Sequence, residues 1–339
     1  MDFTAYLNTI VKREDLSQDQ MADMMNTIFS GQATEAQIGA FMAALATKGE
    51  TFEELAGAAR AMRSKAVRVQ TLAKKVIDTC GTGGDASGSF NISTTTAFVI
   101  AGAGITVAKH GNRSITSKCG SADVLEELGI NLSVHPEIVE EAINEIGIGF
   151  MFAPLYHGSM KYAMKARMEC KIRSIFNMLG PLTNPAAASC QILGVYAPEL
   201  TEMFGQALNL LGVEKAFVVH GHDGMDEMTT TALTRVTELN DGMIKTYDVD
   251  PLTYFDEYAD PKDLLGGDAK HNAAITRAIL SGAKGPKQNI VLLNAGAGLV
   301  AADAAPTIEK GIEMALKSIE TGAAMEKLEL LADYTKENA

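Results

Sequence analysis

Cysteine is scarce and unpaired. Cys80, Cys119, Cys170 and Cys190 are the four in 339 residues, and no two form a C-x-x-C pair. That usage reads as reduced thiols in a cytoplasmic protein, not as a disulfide framework. Cations are also in deficit: 29 Lys and Arg face 42 Asp and Glu, a net charge of −13. The bulk surface therefore repels nucleic acid and anionic membranes, and neither is expected as a partner. An anionic ligand has to be held by a local cluster of cations and backbone N–H groups. The N-terminal stretch MDFTAYLNTIVKRED lacks a cationic start leading into an apolar core, so no signal peptide is expected. The uncharged run 86–108 is long enough to span a bilayer, but its Ser, Thr, Asn and Gly content reads as a buried loop and helix. Internal repeats and low-complexity tracts are missing.

Hydrophobic residues make up 47 % of the chain, enough for a sizeable core in one large domain or two unequal ones. Three capping boxes, Ser17 with Gln20, Thr34 with Gln37 and Thr51 with Glu54, open helices in a region without a strand signal. A small all-helical domain is expected over 1–71. From Lys75 the pattern changes. Apolar runs at KVIDT, ITVAKHG, IGFMFAP, QILGVYAP and KAFVVHG alternate with helical segments at Ala122–Leu128, Pro136–Ile146, Glu199–Leu211 and Asn272–Leu280. This predicts a larger α/β domain over 72–339, with a central, mostly parallel sheet flanked by helices. A hairpin at Asn240–Gly242 makes the sheet mixed, and helices at Ile308–Ile319 and Ala323–Leu331 close the chain. The basic helical stretch near 158–175 is expected to pack back against the helical domain.

The densest chemistry follows the first strand, in VIDTCGTGGDASGSFNIST (Val76–Thr94). Gly81, Gly83 and Gly84 permit a concave nest of N–H groups, and the helix opening at Asn91–Thr94 adds its positive end. The loop is neither a P-loop nor a dinucleotide fingerprint. Asp85, a carboxylate inside an anion nest, suits a ligand with hydroxyls beside its phosphates or one that brings a divalent cation. A second loop, AKHGNRSITSKCGS, carries Lys109, Arg113 and Lys118 with several hydroxyls directly after a strand, where open α/β sheets bind ligands. His110 reads equally well as a general base and as a structural histidine. Asp226 and Glu227 are adjacent hard oxygen ligands of the kind Mg²⁺ takes, although acids are common in an acidic protein. In the basic stretch, Arg167 can grip a carboxylate in two-pronged fashion, and Lys161, Lys165, Lys171 and Arg173 compete for that role.

GTGGD, NIST, KHGNRSITSKCGSADVLEELG, IFNMLGPLTNP, DE within GMDEMTT and NA within KHNAAITRAILSG together resemble the anthranilate phosphoribosyltransferases, over the whole chain and in order. The resemblance implies transfer of the phosphoribosyl group of 5-phosphoribosyl 1-pyrophosphate to the amine of anthranilate, a step of tryptophan biosynthesis, by a cytoplasmic homodimer. It implies donor contacts from Gly81, Gly84, Asp85, Ser89, Asn91, Ile92, Ser93, Thr94, the stretch Lys109, His110, Gly111, Asn112, Arg113, Ser114, Ile115, Thr116 and Ser117, and Ser121. Ser93, Asp226 and Glu227 would hold magnesium, two ions per site. Gly81, Asn112 and Arg167 would line the anthranilate site, with Lys109, Asn112 and Arg167 the catalytic group. Departures from the family pattern are small: Thr116 for serine, FAPLYHGSM around His157, and Gly298 for alanine. Two rival readings are a pyrimidine nucleoside phosphorylase and a non-catalytic relative that binds nucleic acid. The former's longer signature around the glycine loop is not visible, and the charge of −13 opposes the latter.

Overall fold

The computed structural model describes residues 2–85, 87–114 and 119–339. Four helices come first: α1 (Phe3–Val11), α2 (Gln18–Phe29), α3 (Glu35–Lys48) and α4 (Phe52–Lys65). All three expected capping boxes form, so the N-terminal N–H groups of α2, α3 and α4 are satisfied by side chains three residues apart. Glu54 does more than close a box. It is fully buried, and it accepts from Leu16 N (2.9 Å), Thr51 N (2.9 Å) and Lys48 Nζ (3.0 Å), tying three segments of the bundle to one carboxylate.

The α/β part follows: β1 (Val76–Gly81), α5 (Ile92–Gly102), β2 (Thr106–Gly111), α6 (Ser121–Glu127), α7 (Pro136–Glu145), β3 (Ile148–Phe152), α8 (Ala153–Tyr156) and α9 (Lys161–Cys170). Next come β4 (Cys190–Gly194), α10 (Leu200–Leu210), β5 (Lys215–Gly221), β6 (Thr234–Asn240) and β7 (Met243–Val249). Four helices end the chain: α11 (Ala269–Leu280), α12 (Pro286–Ala301), α13 (Ile308–Glu320) and α14 (Ala323–Glu337). The strands form one seven-stranded sheet in the order β3-β2-β1-β4-β5-β6-β7. β1 to β5 run parallel, and β6 and β7 are antiparallel, joined by the Asp241–Gly242 turn. The mixed sheet agrees with the sequence reading.

Side chains alternate across the sheet with period two. Ile77, Ile192, Phe217 and Val219 face α5, α12 and the C-terminal helices, while Cys80, Leu193, Ala216 and Val218 join the core shared with α10 and the helical bundle. α9 packs against α2 and α3, returning to the bundle. α12 was not anticipated: it is apolar on nearly every side, and its buried run from Ile290 to Leu299 carries no polar stripe to mark a helical period.

Arg63 links the two parts. From α4 its half-buried guanidinium donates to Leu182 O (2.6 Å) and Leu211 O (3.2 Å), and loss of solvent lowers its pKa to about 10. Both acceptors are backbone carbonyls of the α/β part.

Glu54→Ala should lower the free energy of unfolding by roughly 3 kcal/mol, because it leaves the N–H groups of Leu16 and Thr51 without an acceptor and removes one of the two carboxylates that pair with Lys48. Urea unfolding followed by far-UV circular dichroism measures this. A midpoint equal to that of the parent would contradict the assignment.

Candidate active site

The site lies at the carboxyl ends of β1, β2 and β4, where β1 separates the strands that run to either edge. β1 and β2 pair only at Val76–Thr106 and Ile77–Val107, and then diverge. Pairing of β1 with β4 continues to Gly81–Gly194, and that of β2 with β3 to Gly111–Phe152. The gap is a V-shaped split in the sheet. β2 sends Lys109 to one side of it and His110 to the other.

On the α5 side, the chain after β1 turns through Gly83 (φ 66°) and Gly84 (φ 80°), conformations that a side chain would strain. The loop after β5 folds over these ends and brings in Asp226 and Glu227. Gly83 N donates to Asp226 Oδ2 at 2.9 Å, and Ser93 N, in the first turn of α5, donates to Glu227 Oε1 at 3.1 Å. The close approach requires glycine beneath it. A Cβ on Gly81 would lie 2.6 Å from Asp226 Oδ2, and one on Gly194 would collide with the Asp226 carbonyl. Asn294 of α12 fixes the next residue at both ends, accepting from Met228 N (3.0 Å) and donating to Met228 O (2.8 Å). Asp223 accepts from Met225 N (3.1 Å) and from the hydroxyls of Thr229 (2.7 Å) and Thr231, completing the loop.

Electrostatically this side is short of positive charge. Burial and the Asp85 carboxylate push Asp226 up to about 7; burial and Asp226 push Glu227 up to about 8. Asp85 Oδ2 and Thr94 Oγ1 are buried with no partner among the described residues. The buried cation on this side is Lys109. Its ammonium donates to Thr79 O, and Thr79 Oγ1 and Ser93 Oγ each lie 3.4 Å away. Burial lowers its pKa, against the pull of Asp78, Cys80 and Glu227. Among the described residues no three His, Cys, Asp or Glu side chains converge to hold a metal. A Mg²⁺ site of one or two carboxylates completed by substrate phosphates and water needs no such cage. The raised acids and the orphaned Asp85 oxygen suit such an ion.

On the bundle side, His110 Nδ1 lies 3.2 Å from Gly180 O, so that nitrogen carries the proton. His157 Nε2 then donates to His110 Nε2 across 3.2 Å. His110 is therefore tied into the structure, turned away from the glycine loop. Desolvation holds both rings neutral, at about 3 for His110 and about 4 for His157. The split thus separates a half rich in carboxylates and hydroxyls from one lined by two neutral imidazoles and an aromatic ring. Arg167, in the last turn of α9, is half-buried over Phe176 (5.5 Å) and forms no hydrogen bond or ion pair among the described residues. Its competitors are engaged or exposed. Lys165 pairs with Glu35 (3.2 Å), Lys161 lies over the Tyr162 ring, and Lys171 is exposed. Arg173 bonds Gly84 O (3.3 Å) and stacks on Tyr196 (3.8 Å).

The remaining expected residues fall in several places. Asn91 caps no N–H with its side chain; its Oδ1 instead accepts from Asn272 Nδ2 (2.9 Å). Ser89 forms an isolated bridge with Leu265. Ile92 is buried core, and its N–H already bonds Phe90 O. Asn112 Oδ1 accepts from Arg113 N (2.7 Å), and Ser121 Oγ lies against Gly111 and bonds Asn112 O (3.2 Å). Arg113 pairs with Asp123 (3.0 Å) and Glu126 (2.6 Å) on α6. The N–H of Ser114 also reaches Asp123. Ile115, Thr116, Ser117 and Lys118 lie outside the described residues. Sequence reading passed over Asp78, Asn184 and Asn294. A polar residue inside an otherwise apolar strand or helix was the available signal for Asp78 and Asn294.

Residues 4–66 match the helical bundle domain of a glycosyl transferase family, and residues 73–325 match the α/β domain of the same family. The fold and the split-sheet site thus define a glycosyl transferase with one domain of each kind. The chain is 63 % identical to the anthranilate phosphoribosyltransferase of Desulfosudis oleivorans over 337 residues, 99 % of either chain. It is 61 % identical to that of Syntrophobacter fumaroxidans, over 98 % of either. The crystal structure of the Thermus thermophilus enzyme superposes with a TM-score of 0.93 at 38 % identity, covering 99 % of this chain and all of that one. That of the Saccharomyces cerevisiae enzyme, in complex with PRPP and Mg, gives 0.90 at 27 %, covering 99 % and 98 %. The chain belongs to the anthranilate phosphoribosyltransferase family.

The neutral histidine pair has a consequence for stability. Both folded pKa values lie below the unfolded value of about 6.5, so the unfolded state takes up protons first as pH falls. Stability contributed above pH 6.5 is lost between there and about pH 4 for His157 and about pH 3 for His110. At pH 5 the loss is roughly 2 kcal/mol for each ring. Urea unfolding at pH 7 and pH 5 tests this. His157→Gln should shrink the difference, and an unchanged difference would count against the pair.

Proposed function

We propose that this protein transfers the phosphoribosyl group of 5-phosphoribosyl 1-pyrophosphate to the amine of anthranilate, giving N-(5-phosphoribosyl)anthranilate and pyrophosphate. Family membership over the whole chain supports the reaction. The observation that carries the site assignment is the meeting of the glycine loop, the first turn of α5 and the Asp226–Glu227 loop at one end of the split. There the Gly81–Asp85 turn and Ser93–Thr94 take the diphosphate and phosphate through N–H and hydroxyl groups, and Asp85 faces the sugar hydroxyls or metal-bound water. Asp226 and Glu227, with Ser93, hold magnesium, two ions per site. When bound, that cation neutralises the carboxylates and the departing diphosphate. Lys109 adds a fixed ammonium where negative charge grows as the bond at ribose C1 breaks, and stabilisation counts most there.

The acceptor belongs in the other half. An aromatic amine is uncharged at neutral pH and attacks without prior deprotonation, so the neutral His110–His157 pair is not required as a base. Arg167, with no carboxylate partner among the described residues, is positioned to take one from anthranilate, and Asn112 at the end of β2 completes the orientation. Catalysis then rests on positioning and on excluding water as the helical bundle closes. We further propose that the protein works as a cytoplasmic homodimer. The unpaired thiols support the compartment. The exposed apolar side chains Tyr162, Met164, Met168 and Ile172, on and just after α9, support a subunit contact. Among the described residues no helix is long and apolar enough to cross a membrane.

Loss of anthranilate fluorescence on mixing protein, donor, Mg²⁺ and anthranilate tests the reaction; no loss would refute it. Asp226→Asn with Glu227→Gln should cut magnesium-dependent turnover by roughly a hundredfold or more without unfolding the protein. Unchanged turnover would remove the metal assignment. Arg167→Ala should raise the apparent KM for anthranilate by roughly ten- to a hundredfold, the equivalent of one charged hydrogen bond. The donor KM should stay near that of the parent. A rise in the donor term instead would defeat the acceptor role.

A further inference from the structure

Asp78 is completely buried in the middle of β1, on the bundle-facing side of the sheet, with two or more strands between it and either edge. A carboxylate in such a place is costly unless donors surround it. Here every neighbour that bonds it is a donor. Oδ1 accepts from the backbone N–H of His110 at 3.1 Å, Oδ2 accepts from Asn184 Nδ2 at 2.7 Å, and the Cys80 thiol is turned to it from two residues along the strand. Burial pushes the carboxyl's pKa up, and the Lys109 charge and these donors oppose that shift.

Its location explains the split. β1 and β2 stop pairing after Ile77–Val107, which leaves the backbone groups of Ala108 and His110 without their ladder partners. Asp78 takes the N–H of His110. Asn184 Nδ2, while bonded to Asp78, also donates to Ala108 O at 2.8 Å. Two side chains thus replace the missing rungs and hold the strands apart at a fixed width. Asn184 Oδ1 accepts from Ala186 N (2.8 Å), which anchors the wedge in the turn whose Gly180 carbonyl receives His110 Nδ1. The residue held by Asp78 is the pivot of β2. On one side of it stands Lys109, reaching Thr79 and Ser93; on the other is the His110 ring, reaching His157 and Gly180. A continuous β1–β2 ladder would need no buried charge and would leave no gap.

We propose that Asp78 is a positioning residue for phosphoribosyl transfer: wedged with Asn184 between β1 and β2, it fixes the His110 backbone and so the placement of Lys109 and of the acceptor-side ring. The inference rests on the transfer reaction proposed above. It assigns Asp78 no contact with either substrate.

Asp78→Asn tests it, since the substitution preserves volume but sets an amide against the amide of Asn184. Normalised to folded protein, kcat should fall by about tenfold or more, in line with the sensitivity of transfer to small misplacements. The KM values for donor and anthranilate should both stay within about threefold, because neither substrate loses a contact. Asn184→Ser removes the same contact from the other side and should lower kcat in the same way. In the double variant the losses should overlap, not multiply. A folded Asp78→Asn protein with kcat within about twofold of the parent overturns the proposal. So do multiplicative losses, or a loss confined to KM. Where Asp78→Asn does not fold, the Asn184→Ser kcat decides by the same criterion. Parallel assays of the parent separate the two readings. An inactive parent removes the reaction and this inference together; an active parent with unimpaired variants removes this inference alone.

Discussion

The approach of the Asp226–Glu227 loop to the ends of β1 and β4 governs the rest of the site. It is sterically possible only because Gly81 and Gly194, partners in the ladder, both lack a side chain. Once the loop sits there, Asp226 takes the N–H of Gly83 and Glu227 takes that of Ser93. The glycine nest and the start of α5, both suited to anions, are thereby brought against acids of the same chain. Like charges under desolvation raise one another's pKa, and Lys109 with Arg173, bonded to the Gly84 carbonyl, still leaves the carboxylates of Asp85, Asp226 and Glu227 in excess. The arrangement is complementary to a ligand carrying anionic and cationic groups together, and a diphosphate with its metal is one.

The V-shaped gap between β1 and β2 divides labour. On the α5 side lie charge, hydroxyls and helix-end N–H groups; on the bundle side lie neutral imidazoles, Phe176 and the guanidinium of Arg167 stacked on it. In the proposed reaction an uncharged amine would meet an electrophile held by its phosphates, and the two halves offer correspondingly different surroundings. A single strand supplies both, because consecutive residues of β2 point to opposite faces.

Much of this could be read in the sequence, for local reasons. The capping boxes of α2, α3 and α4 depend on residues three apart, and the five parallel strands are short apolar runs between helical segments. The glycine loop, Lys109 and the Asp226–Glu227 pair announced themselves as dense polar motifs after strands. Long-range relations did not. α12 escaped because a helix buried on nearly all sides shows no period. That Asp123 and Glu126 of α6 would pair with Arg113 was not visible from the loop that carries it. The choice among the cations of α9 and the segment after it depended on which had already found partners. The wedge of Asp78 with Asn184 joins residues 106 positions apart; nothing local foretells it.

Arg63 bears on how such proteins can be recombined. Its guanidinium leaves the helical bundle to bind the carbonyl of Leu182, in the same turn whose Gly180 carbonyl receives His110. The boundary that looks natural along the chain, between bundle and sheet, is therefore crossed by a half-buried cation that is satisfied by carbonyl oxygens. A chimaera that borrows its bundle from another family member inherits that demand, and the graft has to carry the recipient turn along with the donor helix.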